Sequence, residues 1–87
     1  MVSQKVTITN PEGLHLRPAG LLNNLAVQYK SKIEFDTGKG IYNAKSVLSL
    51  LGACVRNGDT ITLMCEGPDE EEALAALVSK IESGLEA

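Results

Sequence analysis

The chain has 87 residues, 44% of them hydrophobic but only 3% aromatic, with a net charge of -3 from 11 acidic and 8 basic side chains. That is room for one domain, residues 1–87, with one modest aliphatic core. Tyr29, Phe35 and Tyr42 are its only rings and the Lys and Arg residues are dispersed, so it lacks both the stacking platform and the basic stripe of a nucleic-acid binder.

The start, Met1-Val2-Ser3-Gln4-Lys5, leads straight into an alternating segment and carries no signal-peptide pattern. No apolar run approaches the ~20 residues that a membrane helix requires, so no membrane insertion is expected. Cys54 and Cys65 are 11 residues apart with a single histidine in the whole chain, which argues against both a zinc site and a redox pair. Both cysteines read as structural, Cys65 as a small hydrophobe on the inner face of a strand. No metal or cofactor is expected. The composite expectation is a reduced, cytoplasmic, soluble monomer.

Val2, Gln4, Val6 and Ile8 alternate with Ser3, Lys5, Thr7 and Thr9, the pattern of a strand with one buried face. Asn10-Pro11-Glu12-Gly13 ends it. From about Leu16 to Gln28, Leu21, Leu22, Leu25 and Ala26 recur at helical spacing. Pro18 fits that helix only in its first turn, where no intrahelical N–H bond is lost, and this places His15 at or beside the N-cap.

Lys32 to Asp36 alternates again, with Ile33 and Phe35 inward, and Thr37-Gly38-Lys39-Gly40 turns the chain into a short strand near Ile41-Tyr42-Asn43. Ser46 precedes a short helix over Val47-Leu48-Ser49-Leu50-Leu51 that stops around Gly52. Arg56-Asn57-Gly58-Asp59 marks a turn. Thr60 to Glu66 follows as a strand with Ile61, Leu63 and Cys65 on one face. Asp69 then reads as the N-cap of a last helix, with Glu72 completing a capping box and Leu74, Leu77, Val78, Ile81 and Leu85 forming its buried stripe. The acidic run Asp69-Glu70-Glu71-Glu72 reads as first-turn charge complementing the helix dipole rather than a cation site. The order is β-α-β-β-α-β-α. An α+β fold, an antiparallel sheet with its helices on one face, is the simplest way to bury these stripes.

The chemistry concentrates in Gly13-Leu14-His15-Leu16-Arg17-Pro18-Ala19-Gly20. Gly13 lets the backbone turn tightly and keeps the ring exposed. Arg17 and the unpaired N–H groups of a helix start put positive potential beside His15, which disfavours imidazolium and leaves a nucleophilic lone pair. The same groups suit phosphate oxygens, so they would also stabilise a phosphorylated ring. No general base, second carboxylate, metal cluster or Walker-type glycine loop accompanies the histidine. A hydrolytic enzyme needs such partners, whereas a group carrier finds them on the proteins it docks to.

These residues resemble the active-centre signature of the HPr family, the histidine-containing phosphocarriers of the bacterial phosphoenolpyruvate-dependent sugar phosphotransferase system. The resemblance runs the length of the chain and includes Lys45-Ser46 at the second helix and Gly67-x-Asp69-Glu70 before the third. It implies an open-faced β-sandwich, a four-stranded antiparallel sheet covered on one face by three helices. It also implies that His15 is phosphorylated on Nδ1 by enzyme I and donates to the A domains of sugar-specific enzymes II, with Arg17 as the phosphate partner. Such a protein is not an enzyme itself but a co-substrate of the phosphotransferase enzymes.

Ser46 reads first as the N-cap of the Val47-Leu51 helix. The resemblance adds a second role, because many Gram-positive HPr proteins are phosphorylated here by an HPr kinase/phosphorylase and then serve as co-repressor for a catabolite-control repressor. A phosphate at a helix N-terminus is electrostatically tolerated and adds about -2 charge beside the docking face. Leu16 and Gly20 share one helix face near His15, and Val47, Leu48 and Leu51 form an apolar patch, together a partner-docking surface. Many relatives carry lysines on the first helix; here positions 23, 24 and 27 are Asn23, Asn24 and Val27. Docking is therefore expected to lean on apolar contact, with weak salt dependence. Two alternatives stand beside the sugar relay: a regulatory interaction protein acting mainly through Ser46, and a phosphocarrier of a nitrogen-related relay.

Overall fold

The computed structural model describes residues 1–85. Its elements are β1 (Val2–Thr7), α1 (Leu16–Ala26), β2 (Lys32–Asp36), β3 (Ile41–Asn43), α2 (Val47–Gly52), β4 (Thr60–Glu66) and α3 (Glu70–Glu82). The strands form one antiparallel sheet in the order β1-β4-β2-β3, with Val6 opposite Ile61 and Phe35 opposite Leu63. The three helices cover one face and the other stays open, so the expected open-faced α+β sandwich is what forms.

Period-two alternation decides which side of the sheet is roofed. Ile33 and Phe35 of β2 and Ile61, Leu63 and Cys65 of β4 point inward and are buried. They meet Ala19, Leu22 and Ala26 of α1, Leu50 of α2, and Ala73, Leu77, Val78 and Ile81 of α3. Full burial of each large aliphatic side chain stabilises the fold by about 1.5–3 kcal/mol. Phe35, the only phenylalanine, stacks on Tyr42 with ring centroids 5.5 Å apart.

Three local expectations need correction. Gln4 shares the inner face of β1 by parity but is exposed, because β1 is an edge strand and the amide reaches water there. α1 ends at Ala26 instead of running to Gln28, since Gln28 and Tyr29 donate to Leu25 and Ala26 in tightened i→i+3 turns. Cys54 is exposed, and its φ of 54° turns the chain after α2.

The third correction concerns Asp69. It is the N-cap of α3, but its carboxylate makes no capping bond. Instead it accepts from the Lys30 and Ser31 backbone N–H groups, both at 2.9 Å, and from Ser31 Oγ at 2.5 Å. The bonds from Ser31 Oγ, the Lys30 N–H and the Ser31 N–H hold the Asp69 carboxyl well below the usual range, at about 2. The Gly67 N–H is met by Glu70 Oε1 at 3.1 Å, and the other Glu70 oxygen pairs with the N-terminal ammonium at 3.3 Å. Glu72, expected in a capping box, is exposed.

Candidate functional site

His15 is the N-cap of α1, with an extended backbone (φ -81°, ψ -175°), and its carbonyl accepts the first helical bond from Ala19 N–H at 2.9 Å. His15 is exposed and its ring makes no capping bond. Pro18 is the third helical residue and has no N–H to lose. The unpaired first-turn donors therefore belong to Leu16 and Arg17, directly after the histidine. Arg17 is exposed and has no ion pair among the described residues. An imidazole, two free N–H groups and a guanidinium thus share one helix start, an arrangement suited to an anion carried by the ring.

The turn that presents His15 is held from both sides. Asn10 O accepts the Gly13 N–H at 2.9 Å, and the Leu14 N–H donates to Val55 O, also at 2.9 Å. Gly13 adopts φ +67°, and a Cβ there would lie 2.3 Å from Val55 O and 2.7 Å from Arg56 Cα. Only glycine permits both the backbone angle and the close approach. The segment between α2 and β4 is thus the back wall of the histidine turn.

Ser46 is the N-cap of α2, and its Oγ accepts the Ser49 N–H at 3.2 Å. The preceding Lys45 turns inward, and its ammonium donates to Tyr29 O at 2.6 Å, closing the chain just beyond α1. α2 has 6 residues, about 9 Å of helix at 1.5 Å per residue, and leads from Ser46 toward the Val55 wall of the histidine turn.

The expected docking residues separate into two groups. Leu16 and Leu48 are 64% and 82% exposed, while Gly20, Val47 and Leu51 are half-buried. α1 packs against α2, with Leu50 taking the core position. Arg17 is the only charged side chain in either helix. Among the described residues no group of three or more His, Cys, Asp or Glu is disposed to hold a metal ion, and no helix is long and apolar enough to cross a membrane.

Residues 2–83 match the family model described as PTS HPr component phosphorylation site. The chain belongs to the HPr family. HPr proteins are the phosphocarriers of the phosphotransferase system. The phosphocarrier protein HPr of Mycoplasma genitalium is 38% identical over 79 residues, covering 90% of each chain. The HPr-like protein Crh of Halalkalibacterium halodurans is 39% identical over 82 residues, covering 94% of this chain and 98% of its own. Among solved structures, HPr-C-His from Thermoanaerobacter tengcongensis superimposes with a TM-score of 0.94 at 39% identity, over 98% of this chain and 96% of that one.

Reading the sequence alone missed two groups that hold the histidine turn. Asn10 reads as an ordinary turn residue before Pro11, yet it is buried and donates to a carbonyl 74 residues away. The Val55 carbonyl is a backbone group, and no residue type signals its role.

Proposed function

We propose that this chain is a phosphocarrier acting as one domain, with His15 as its relay atom. The Nδ1 lone pair attacks the phosphoryl group of phosphorylated enzyme I; a P–N bond forms as the bond to enzyme I breaks. The electron pair returns to enzyme I. The reverse exchange delivers the group to the A domain of an enzyme II. Arg17 and the Leu16 and Arg17 N–H groups take the charge of the phosphoryl oxygens, and Leu16, Gly20, Val47, Leu48 and Leu51 supply the docking surface. The protein works as a co-substrate in the cytoplasm, where phosphoenolpyruvate is available.

The observation that carries this reading is the exposed His15 ring at the start of α1, with no capping bond of its own and free N–H donors directly after it. The test is incubation with phosphoenolpyruvate and enzyme I, followed by intact mass under mildly alkaline conditions. One acid-labile phosphoryl adduct is expected, absent in His15→Ala. Failure of the wild type to acquire it from a competent enzyme I would refute the reading.

The Ser46 hydroxyl at the N-cap of α2 supports a second role, regulation through its phosphorylation. Phosphate on its Oγ would sit at the α2 N-terminus, where charge is tolerated, and would repel an acidic partner from the same face. An HPr kinase/phosphorylase and a catabolite-control repressor are the partners this implies. Incubation with that kinase and ATP should give an acid-stable adduct lost in Ser46→Ala; no adduct would exclude this role.

A further inference from the structure

The turn bearing His15 has one anchor that the phosphocarrier chemistry does not use. Asn10 is 6% exposed, and its Nδ2 donates to the backbone carbonyl of Gly84. That carbonyl can only accept, so the orientation of the amide is fixed. Its Oδ1 is buried and has no partner among the described residues. A half-satisfied buried amide is a poor way to gain stability, since an apolar side chain would leave no orphaned acceptor. The single bond it does make therefore needs another reason.

That bond joins the histidine turn to the C-terminal end of α3. α3 ends in a complete Schellman motif: Gly84 (φ +92°) donates to Ile81 O at 3.0 Å and Leu85 donates to Lys80 O at 3.2 Å. Leu85 is buried and pins the motif to the core. The Gly84 carbonyl is thus held by the helix end, and Asn10 hangs from it. From Asn10 the chain of bonds runs through its own carbonyl to Gly13 N–H, and then from Leu14 N–H to Val55 O. The His15 side chain has no bond of its own to orient it. Its direction is set by the backbone that Asn10 and Val55 clamp from opposite sides.

We infer that Asn10 is a positioning residue for His15, latching the histidine turn onto the C-terminal end of α3 so that the ring keeps one orientation for docking partners. The inference rests on the phosphocarrier reading for its functional meaning, while the latch itself can be tested without phosphate.

The test uses Asn10→Ala and Asn10→Asp in the full chain. Asn10→Asp is near-isosteric but sets a carboxylate against the Gly84 carbonyl at neutral pH. In the unphosphorylated proteins, amide-exchange protection of Gly13 and Leu14 should fall at least tenfold in both variants, with Leu63 unchanged. In Asn10→Asp it should return as the pH drops below the ordinary carboxyl value of ~4, where the protonated acid regains a donor. Wild-type protection at Gly13 and Leu14 would overturn the latch. If Leu63 protection falls too, the acid recovery of Asn10→Asp decides: recovery supports the latch and its absence overturns it.

The second arm measures phosphorylation by enzyme I and phosphoenolpyruvate. A drop of tenfold or more in kcat at little-changed KM is expected in both variants, because misorientation of a correctly docked ring slows the chemical step. A wild-type kcat in the variants would overturn the positioning role. A wild type that takes no phosphoryl group would refute the phosphocarrier reading instead, and the exchange arm would still decide the latch.

Discussion

A Cβ on Gly13 would lie 2.3 Å from the Val55 carbonyl oxygen, the same oxygen that accepts the Leu14 N–H at 2.9 Å. The turn that carries His15 is therefore pressed against the segment between α2 and β4 with no space for a side chain. Gly13→Ala must move one backbone off the other and also place a side chain at φ +67°. Strain and overpacking of this kind cost about 1–3 kcal/mol. At roughly 4–8 °C per kcal/mol for a chain of this size, the melting midpoint should drop measurably. Transfer to His15 should fall further than stability does, and a thermal melt beside a phosphorylation assay would show whether it does.

Asp69 supplies a pH signature. Its carboxyl is depressed to about 2, first by Ser31 Oγ and then by the Lys30 and Ser31 N–H groups. A group whose pKa is lower folded than unfolded stabilises the fold above its unfolded value, near ~3.9. That stabilisation is lost as pH falls from about 4 toward 2. Asp69→Asn should therefore be less stable than wild type at pH 7, and the gap should close across that interval. Urea midpoints of the two proteins from pH 7 to pH 2 measure it; a gap independent of pH would contradict the assignment.

The capping role of Ser46 and its proposed regulatory role are separable. Removing the cap in Ser46→Ala should cost about 1 kcal/mol, because the Ser49 N–H loses its acceptor. Ser46→Asp retains an oxygen for that N–H and should keep near-wild-type stability. It also adds the negative charge proposed to repel an acidic partner, so its transfer rate should drop where its melting midpoint does not. Calorimetry and transfer kinetics on the pair separate capping from docking.

The surface of α1 and α2 carries one charge, Arg17, and two well-exposed leucines. Leu48→Ser removes a side chain that is 82% exposed, so stability should change by less than about 0.5 kcal/mol. Loss of its contact with enzyme I should still lower kcat/KM about tenfold, equivalent to ~1.4 kcal/mol. Transfer should also depend only weakly on ionic strength. A steep loss of rate between low and high salt would show that docking is steered by charge instead.

Much of this architecture can be read from local pattern. β2, β3 and β4 follow their alternation and α2 follows its serine cap, because each signal lies within a few residues of the element it defines. The placement of His15 at a helix start followed from Pro18 alone, since proline tolerates only the first turn. The failures share a different cause. Asp69 looks like a cap from its neighbours, but Ser31, 38 residues away, competes for the same carboxylate with two donors and prevails. Asn10 looks like a turn residue, and its partner is the Gly84 carbonyl at the other end of the chain. Tertiary hydrogen bonds to backbone groups leave no trace in residue type or spacing.

The central claim is that His15 is a relay point and not a self-sufficient catalyst. Single-turnover loading tests it most directly. The chain is charged with labelled phosphoenolpyruvate and enzyme I, separated from both, and held at neutral pH before an enzyme II A domain is added. The account predicts one label per chain on His15, persisting through the hold and moving to the A domain on mixing. Prompt release of inorganic phosphate without an acceptor, or label on a residue other than His15, would contradict it.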